Sequence, residues 1–476
     1  MTEKASDGFS GRARWFAVVA VMLATSSMVL ATTIVNVSIP AIMAEFRMGQ
    51  EQAQWLSTGF IGAMAATMLL TSWCVLAFGI RAVYLANMAV FVAASIAGGT
   101  AAGPDIVTVA RIVQGAAGGV IQPLAMIVIF QLFPSDRRGS AMGVYGLAVV
   151  LSPAIGPAAG GLMTQCFGWR SVFFVVLPFC LAGALIASKY LPGREGKGGR
   201  PAFDYPGFAL LSAFILALFA CLRSGRSAGG LPGATILLAV LALAAGVGFV
   251  GRERRCEKPL LDLRIFSNRQ FAAASAVSFV YGVGIYGSTY LIPLLVQSVS
   301  GYDAIRSGLL LLPGGLVLAV AIFVAGRLAD RYPAWLIVAA GLTGIGVSFA
   351  LFGRVDAATS FAALAWWIVL GRIGLGLVIP ALNAGAVQTL SPLLLNQGSG
   401  AINFVRLLGG AFGVTLLSAA LEWRTAVHSA MGQGARVAGF RDAFQIAALI
   451  FGMALLPAVF MRRGGSLHGP EDPAGV

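Results

Sequence analysis

The sequence predicts an all-α integral membrane protein of about fourteen spans, and three observations carry that expectation. Apolar blocks of 17 to 28 residues recur along the whole chain, separated by short runs holding Arg, Lys, Asp, Glu, Pro and Gly. Only 11% of the 476 residues are charged and 58% are hydrophobic, where a soluble domain carries about a quarter charged. The 61 glycines are dispersed through the blocks, which suits close approach of helices in lipid better than packing of an aqueous core.

Each block is long enough to cross a hydrocarbon layer of about 30 Å as a helix. The first, 15–39, is too long for the apolar core of a signal peptide and is expected to remain as a span. The others are expected at 55–78, 82–99, 106–130, 140–165, 169–188, 206–222, 234–250, 271–297, 304–326, 334–352, 361–388, 397–421 and 443–460. An even number puts both termini on one side. The loops and termini of that side hold twenty Lys and Arg, and those of the other side nine. The positive-inside rule therefore predicts cytoplasmic termini in a bacterial inner membrane. On that topology the longest external loop runs from Glu422 to Arg441.

The net charge of +14 is spread over span ends rather than gathered in a patch with interleaved aromatics, so nucleic acid is not an expected partner. The expected surroundings are lipid, with the basic connections 191–204 and 252–269 against anionic headgroups. The five cysteines are odd in number and show no metal spacing, so they read as packing residues, and no cofactor or metal is expected.

Three of the 32 basic residues fall outside the connections: Arg111, Arg372 and Arg406 lie well inside apolar blocks, while all 18 acids sit in loops or at span ends. A guanidinium in lipid must face protein, water or a substrate. Arg111 and Gln114 share a helix face beside Gly115, Gly118 and Gly119, and Asn403 and Arg406 repeat the spacing. The candidate substrate or coupling cavity comprises Thr33, Asn36, Arg111, Gln114, Tyr290, Arg372, Asn383, Asn403 and Arg406. The alternative is that the arginines bond to carbonyls at helix breaks and only lock helices together. Pro153, Gly156, Pro157, Gly160 and Gly161 form a candidate hinge, because proline removes a helical hydrogen bond while glycine removes bulk.

A weak internal repeat links G-V-I-Q-P-L-A-M-I-V-I-F-Q at 119–131 to G-L-V-I-P-A-L-N-A-G-A-V-Q at 376–388. Each lies fourth in a set of six spans. The repeat suggests two six-helix halves, 1–192 and 270–476, joined by 193–269 with an extra helix pair, an organisation met in secondary transporters.

These residues reach a resemblance. A-R-I-V-Q-G-A-A-G-G at 110–119 resembles motif B of the major facilitator superfamily, and G-P-A-A-G-G at 156–161 its antiporter motif C. G-R-L-A-D-R at 326–331 resembles a second-half copy of motif A. T-T-I-V-N-V-S-I-P at 32–40, G-W-R-S-V-F-F-V-V-L-P at 168–178, P-L-L-D-L-R-I-F at 259–266 and R-L-L-G-G-A-F-G at 406–413 are similar to the fourteen-span EmrB/QacA drug-efflux branch. The resemblance implies an exporter of amphipathic compounds, driven by proton antiport through alternating access. It also implies a cytoplasmic latch built from Gly326, Asp330 and Arg331, and a periplasmic adaptor protein of the kind some members use. Two departures stand out: Ala31 occupies the place of that branch's first-span carboxylate, and the first-half motif A loop is reduced to L-A-F-G-I-R-A at 76–82.

No Asp, Glu or His lies mid-span to carry a proton, and arginine cannot do so. With uncompensated arginines, a substrate bearing a carboxylate or phosphate supplies the missing negative charge. The competing reading is a proton-independent importer or uniporter of an organic anion. An integral-membrane enzyme on lipid-linked substrates needs a converging cluster of acids, His or Cys that the sequence lacks.

Overall fold

The computed structural model describes residues 11–133, 138–193, 204–224, 232–256, 259–329, 331–356, 358–387, 395–432 and 434–463. The described residues are helical almost throughout. The first group of helices comprises α1 (Gly11–Phe46), α2 (Gln50–Ala53), α3 (Trp55–Met68), α4 (Thr71–Phe78), α5 (Ile80–Gly99), α6 (Pro104–Leu132), α7 (Arg138–Phe167), α8 (Ser171–Phe174) and α9 (Leu177–Tyr190). Then come α10 (Tyr205–Ser224) and α11 (Pro232–Glu253). The last group comprises α12 (Arg269–Ser298), α13 (Ala304–Ala329), α14 (Ala334–Phe352), α15 (Phe361–Val387), α16 (Leu395–Val427), α17 (Gly434–Met453) and α18 (Leu455–Phe460). Among the described residues, 11 helices are long and apolar enough to cross a membrane, and Tyr205–Leu218 is a shorter apolar helix.

Most helices outrun the apolar block that predicts them, because a helix can continue through the headgroup layer where its side chains turn polar. The expected loop from Glu422 to Arg441 is the largest such difference: α16 continues to Val427 and α17 begins at Gly434. The expected span 55–78 is divided instead. Gln54, Leu69 and Leu70 at its breaks keep αR angles, so the chain runs on without reversing. A reversal comes at Gly79, where a single residue between α4 and α5 takes φ +83°, a value that favours glycine. α7 runs unbroken through Pro153 and Pro157.

α1 packs on α7, α9 and α6, and α3 packs on α6; α12 packs on α16, and α15 on α13 and α14; α10 and α11 pack on each other. Glycines set several of these approaches. A Cβ on Gly115 would overlap the carbonyl of Phe60 on α3, and one on Gly409 the carbonyl of Phe279 on α12. The repeat glycines act alike: Gly119 faces the Met64 carbonyl on α3, and Gly376 faces Ala321 and Ile322 on α13. Each brings the fourth helix of its set onto the second.

The first and last groups meet chiefly toward one end, where α1, α7, α12 and α16 finish and α2 and α13 begin. This is the end poor in basic residues. A Cβ on Gly161 would overlap the Ala304 carbonyl, and one on Gly308 would lie 2.5 Å from the Pro157 carbonyl oxygen. The hydrogen bonds joining the groups among the described residues lie toward the same end. Gln297 Nε2 donates to the Val37 carbonyl at 2.9 Å, Gln50 Nε2 to Tyr290 Oη at 2.8 Å, and the Ile305 amide to Gln165 Oε1 at 3.2 Å. Thr58 and Thr415 pair at 3.2 Å, and Gln165 Nε2 donates to Asp303 at 3.4 Å.

Candidate functional site

The three intramembrane arginines occupy different surroundings. Arg111 on α6 is 0% exposed. Its Nε donates to the Leu56 carbonyl at 3.0 Å and its Nη1 to Gln114 Oε1 at 3.0 Å, while its guanidinium carbon stands 4.1 Å from the centre of the Phe60 ring. Gln114 Nε2 passes the chain on to Ser95 Oγ at 2.8 Å, and Ser95 donates to the Phe91 carbonyl. Glycine explains how this fits: Gly115 admits the α3 backbone and Gly118 admits Met28 of α1. Arg111 Nη2 is buried without a hydrogen-bond partner, and among the described residues no carboxylate pairs with the guanidinium. The charge is held by carbonyl and amide dipoles and by the ring face.

Arg372 on α15 and Arg406 on α16 are half-buried. Arg372 Nη2 lies 3.5 Å from Thr289 Oγ1 of α12, the outer limit of a hydrogen bond. Both guanidinium groups are within electrostatic range of Tyr281 on α12. The Tyr281 hydroxyl is buried and unpartnered. Tyr286, five residues further along α12, packs against Gly410 and also senses Arg406. Gly282 brings α12 onto the Arg406 carbonyl. Arg372 and Arg406 thus stand on two helices, α15 and α16, that both pack on α12, the helix carrying the two tyrosines.

The remaining expected residues divide between these places and others. Asn36 is buried and accepts from Ser57 Oγ at 2.5 Å, tying α1 to α3. Thr33 turns its hydroxyl back to the carbonyls of Val29 and Leu30 in its own helix. Tyr290 is buried and bonded to Gln50 where the two groups meet. Asn403 is half-buried, and Asn383 is exposed. Gly156 and Gly160 of the expected hinge pack on Thr33 and Ile34 of α1, whereas Gly161 and Pro157 face α13. Of the expected latch, Gly326 has open space at its Cβ position and Arg331 is exposed, while Asp330 lies outside the described residues. The residue in that segment with a marked contact is Arg327, 3.7 Å over the Phe323 ring.

Other residues were not singled out by sequence. Tyr281, Tyr286, Ser57 and Ser95 carry no spacing signal in apolar helices; only the fold brings the two tyrosines and Ser95 into the surroundings of the arginines, and Ser57 to Asn36. The G-W-R motif gains a role: Gly168 takes φ +80°, Trp169 Nε1 donates to Glu45 at 2.5 Å, and Arg170 bonds Glu45 at 2.7 Å and the Ala101 carbonyl at 3.0 Å. This fastens the end of α1 to α8 and to the α5–α6 connection. Ala31 is buried, so no acid stands at that point of α1. His428 joins Arg424 on Asp442, at 2.8 and 2.5 Å, binding α16 to α17.

Comparison with known proteins adds three kinds of finding. A family model described as Major Facilitator Superfamily matches residues 21–414. The chain is 30% identical over 396 residues to a multidrug resistance protein B homolog of Mycobacterium tuberculosis, covering 82% of this chain and 73% of the relative. It is 29% identical over 456 residues to the puromycin resistance protein pur8 of Streptomyces alboniger, covering 94% and 90%. Among solved structures, a bacterial homolog of the human lysosomal transporter Spinster, in an inward-facing and unoccupied conformation, superposes with a TM-score of 0.67 at 15% identity, over 95% of this chain and 98% of that one.

Proposed function

The chain belongs to the Major Facilitator Superfamily, and from that membership we propose that it is a fourteen-span secondary transporter of the drug-efflux branch, exporting amphipathic organic compounds by alternating access. It is a multi-pass membrane transporter and not an enzyme. The fourteen spans are the 11 long apolar helices together with α2–α4 as one broken span, α7, and α10. In this reading the first and last groups are the two six-helix halves, α10 and α11 are the inserted pair, and both termini are cytoplasmic. Relatives named for multidrug and puromycin resistance support export of organic toxicants.

The observation that carries alternating access is where the halves touch. Their hydrogen bonds and glycine contacts gather toward the end poor in basic residues, which is the external end in this topology. A bundle sealed outside and parted toward the cytoplasm is one of the two states such a transporter alternates between. The half-buried Arg372 and Arg406 with Tyr281 are the part of the expected site suited to an anionic group on the substrate. Arg111, sealed from solvent, serves in this state as an internal strut.

Proteoliposomes test the reading. Purified protein is assayed for substrate-driven proton movement beside the Ala31→Asp variant, with a lipophilic cation and an organic anion as probes. Export of the anion, weakened by Arg406→Gln, is the expected result. Full-rate expulsion of the cation with no effect of Arg372→Gln or Arg406→Gln would remove the anionic preference. Transport in both directions down the substrate gradient, indifferent to a collapsed pH gradient, would favour the proton-independent uniporter instead.

A further inference from the structure

Among the described residues the buried charged side chains are Arg111, Asp204 and Glu253, so the two buried acids stand together at one end of the α10–α11 pair. Asp204 is 8% exposed and Glu253 4%. One oxygen of each is engaged. Asp204 Oδ1 accepts from Arg252 Nε at 3.0 Å, Arg252 Nη2 at 2.9 Å and the Gly207 amide at 3.1 Å. Glu253 Oε2 accepts from the Leu261 amide at 3.1 Å. The other two oxygens, Asp204 Oδ2 and Glu253 Oε1, are buried and have no partner. Both crowd the point that a Cβ on Gly207 would occupy, Glu253 Oε1 at 3.2 Å and Asp204 Oδ2 closer still.

Two unpartnered carboxylate oxygens facing one small space repel each other and lack donors. The charged groups acting on Glu253 are Asp204 from the start of α10 and Arg252 from its own helix. Arg252 is spent on the far oxygen of Asp204 and is 45% exposed. Among the described residues, one cation thus faces two acids. A proton between the free oxygens satisfies both, converting repulsion into an O–H···O⁻ hydrogen bond.

We propose that Asp204 and Glu253 form a proton-binding site, holding one proton between Asp204 Oδ2 and Glu253 Oε1, and that this proton fastens the connection between α11 and α12. The step is protonation alone: a proton from water adds to one lone pair of the carboxylate pair, and its loss returns the dianion. The mechanical consequence follows from Glu253 Oε2. Its bond to Leu261 anchors a segment whose Leu261 and Ile265 are buried, and which the Asp262 and Asn268 side chains cap into the start of α12. Losing the proton sets two negative charges side by side and loosens that anchor. The inserted helix pair is then a point where pH acts on the first helix of the last group, independently of what the protein transports.

The full chain in lipid nanodiscs allows two measurements. Infrared difference spectroscopy is expected to show, on acidification, a protonated-carboxyl C=O band that is lost in both Asp204→Asn and Glu253→Gln. Glu253→Gln keeps an acceptor for Leu261 and gives Asp204 a permanent donor, so it imitates the protonated pair. Trypsin cleavage after Arg254 or Arg255, both exposed, reads the anchor. Relative to Glu253→Gln at the same pH, wild-type cleavage is expected to rise about tenfold as the pH is raised and the pair loses its proton. No band in the wild type, a band that survives both substitutions, or a cleavage ratio flat with pH would each overturn the proposal.

Discussion

Substituting Gly308 by alanine should shift the balance between the two states of the bundle without unfolding either half. Gly308 on α13 faces Pro157 and Ala158 on α7, and its contact crosses between the first and last groups of helices instead of lying within one. An alanine Cβ there would stand 2.5 Å from the Pro157 oxygen and 2.9 Å from the Ala158 Cα, where ordinary contact begins at 3.4 Å. The shortfall of nearly 1 Å is against backbone, which cannot swing aside as a side chain tip does, so the helices must part. Overpacking of this kind costs about 1–3 kcal/mol. Because the cost falls only on the state in which α7 and α13 touch, it shifts the equilibrium about 5- to 150-fold toward opening at this end. A cysteine at Thr58, in a background freed of the five native cysteines, reports the opening. Thr58 is 1% exposed and pairs with Thr415 across the halves. Its alkylation by a membrane-impermeant maleimide should accelerate by that factor in Gly308→Ala. Unchanged labelling, with melting temperature equal to the parent, would refute the reasoning, because the clash would then have been absorbed inside the closed state.

Gly115→Ala and Gly409→Ala should behave as a matched pair, each driving a Cβ into a carbonyl of the neighbouring helix, and each should lower the folded yield in detergent by the equivalent of about 1–3 kcal/mol. Gly103→Ala is the control and should be silent, since its Cβ would meet nothing within 4 Å. Arg111→Lys should lower the melting temperature by the equivalent of about 1–3 kcal/mol, because an ammonium on a flexible stem cannot hold the Leu56 carbonyl and Gln114 together as the planar guanidinium does; equal melting would show that the strut carries no load. Asp442→Asn should cost about 1 kcal/mol by removing the charge that Arg424 and His428 share, and thermal unfolding of the purified protein measures it.

The sequence made the helices legible because lipid enforces a coarse rule, that apolar runs span and charge stays outside, and a coarse rule survives without tertiary knowledge. It failed where the helix outlasts its apolar block. The residues from Glu422 to Arg441 read as loop by polarity, yet Arg424 and His428 both bond Asp442 across α16 and α17, which gives these polar side chains partners while both helices continue. The break of the second span into α2, α3 and α4 was equally hidden, since Gln54, Leu69 and Leu70 keep helical angles and nothing in their chemistry marks an interruption.

The candidate site was legible only as a list of costly residues, and the fold separates that list by function. Arg111, Arg372 and Arg406 look alike in sequence, each a lone charge among glycines and aliphatics. Packing distinguishes them, because Gly115 and Gly118 let α3 and α1 close over Arg111 completely, while Arg372 and Arg406 keep part of their surface and share an unpartnered tyrosine. A buried guanidinium bonded to carbonyls stabilises one arrangement of helices; a half-buried pair without an acid still has charge to offer a ligand. The acids tell the converse story. Ala31 withholds a carboxylate from the middle of α1, and the only buried carboxyls among the described residues lie at the base of the inserted pair, outside either half. In the proposed reading, charge recognition and proton binding are thus placed apart, and coupling between them would travel through the connection that Glu253 anchors to α12 rather than through direct contact at a shared site.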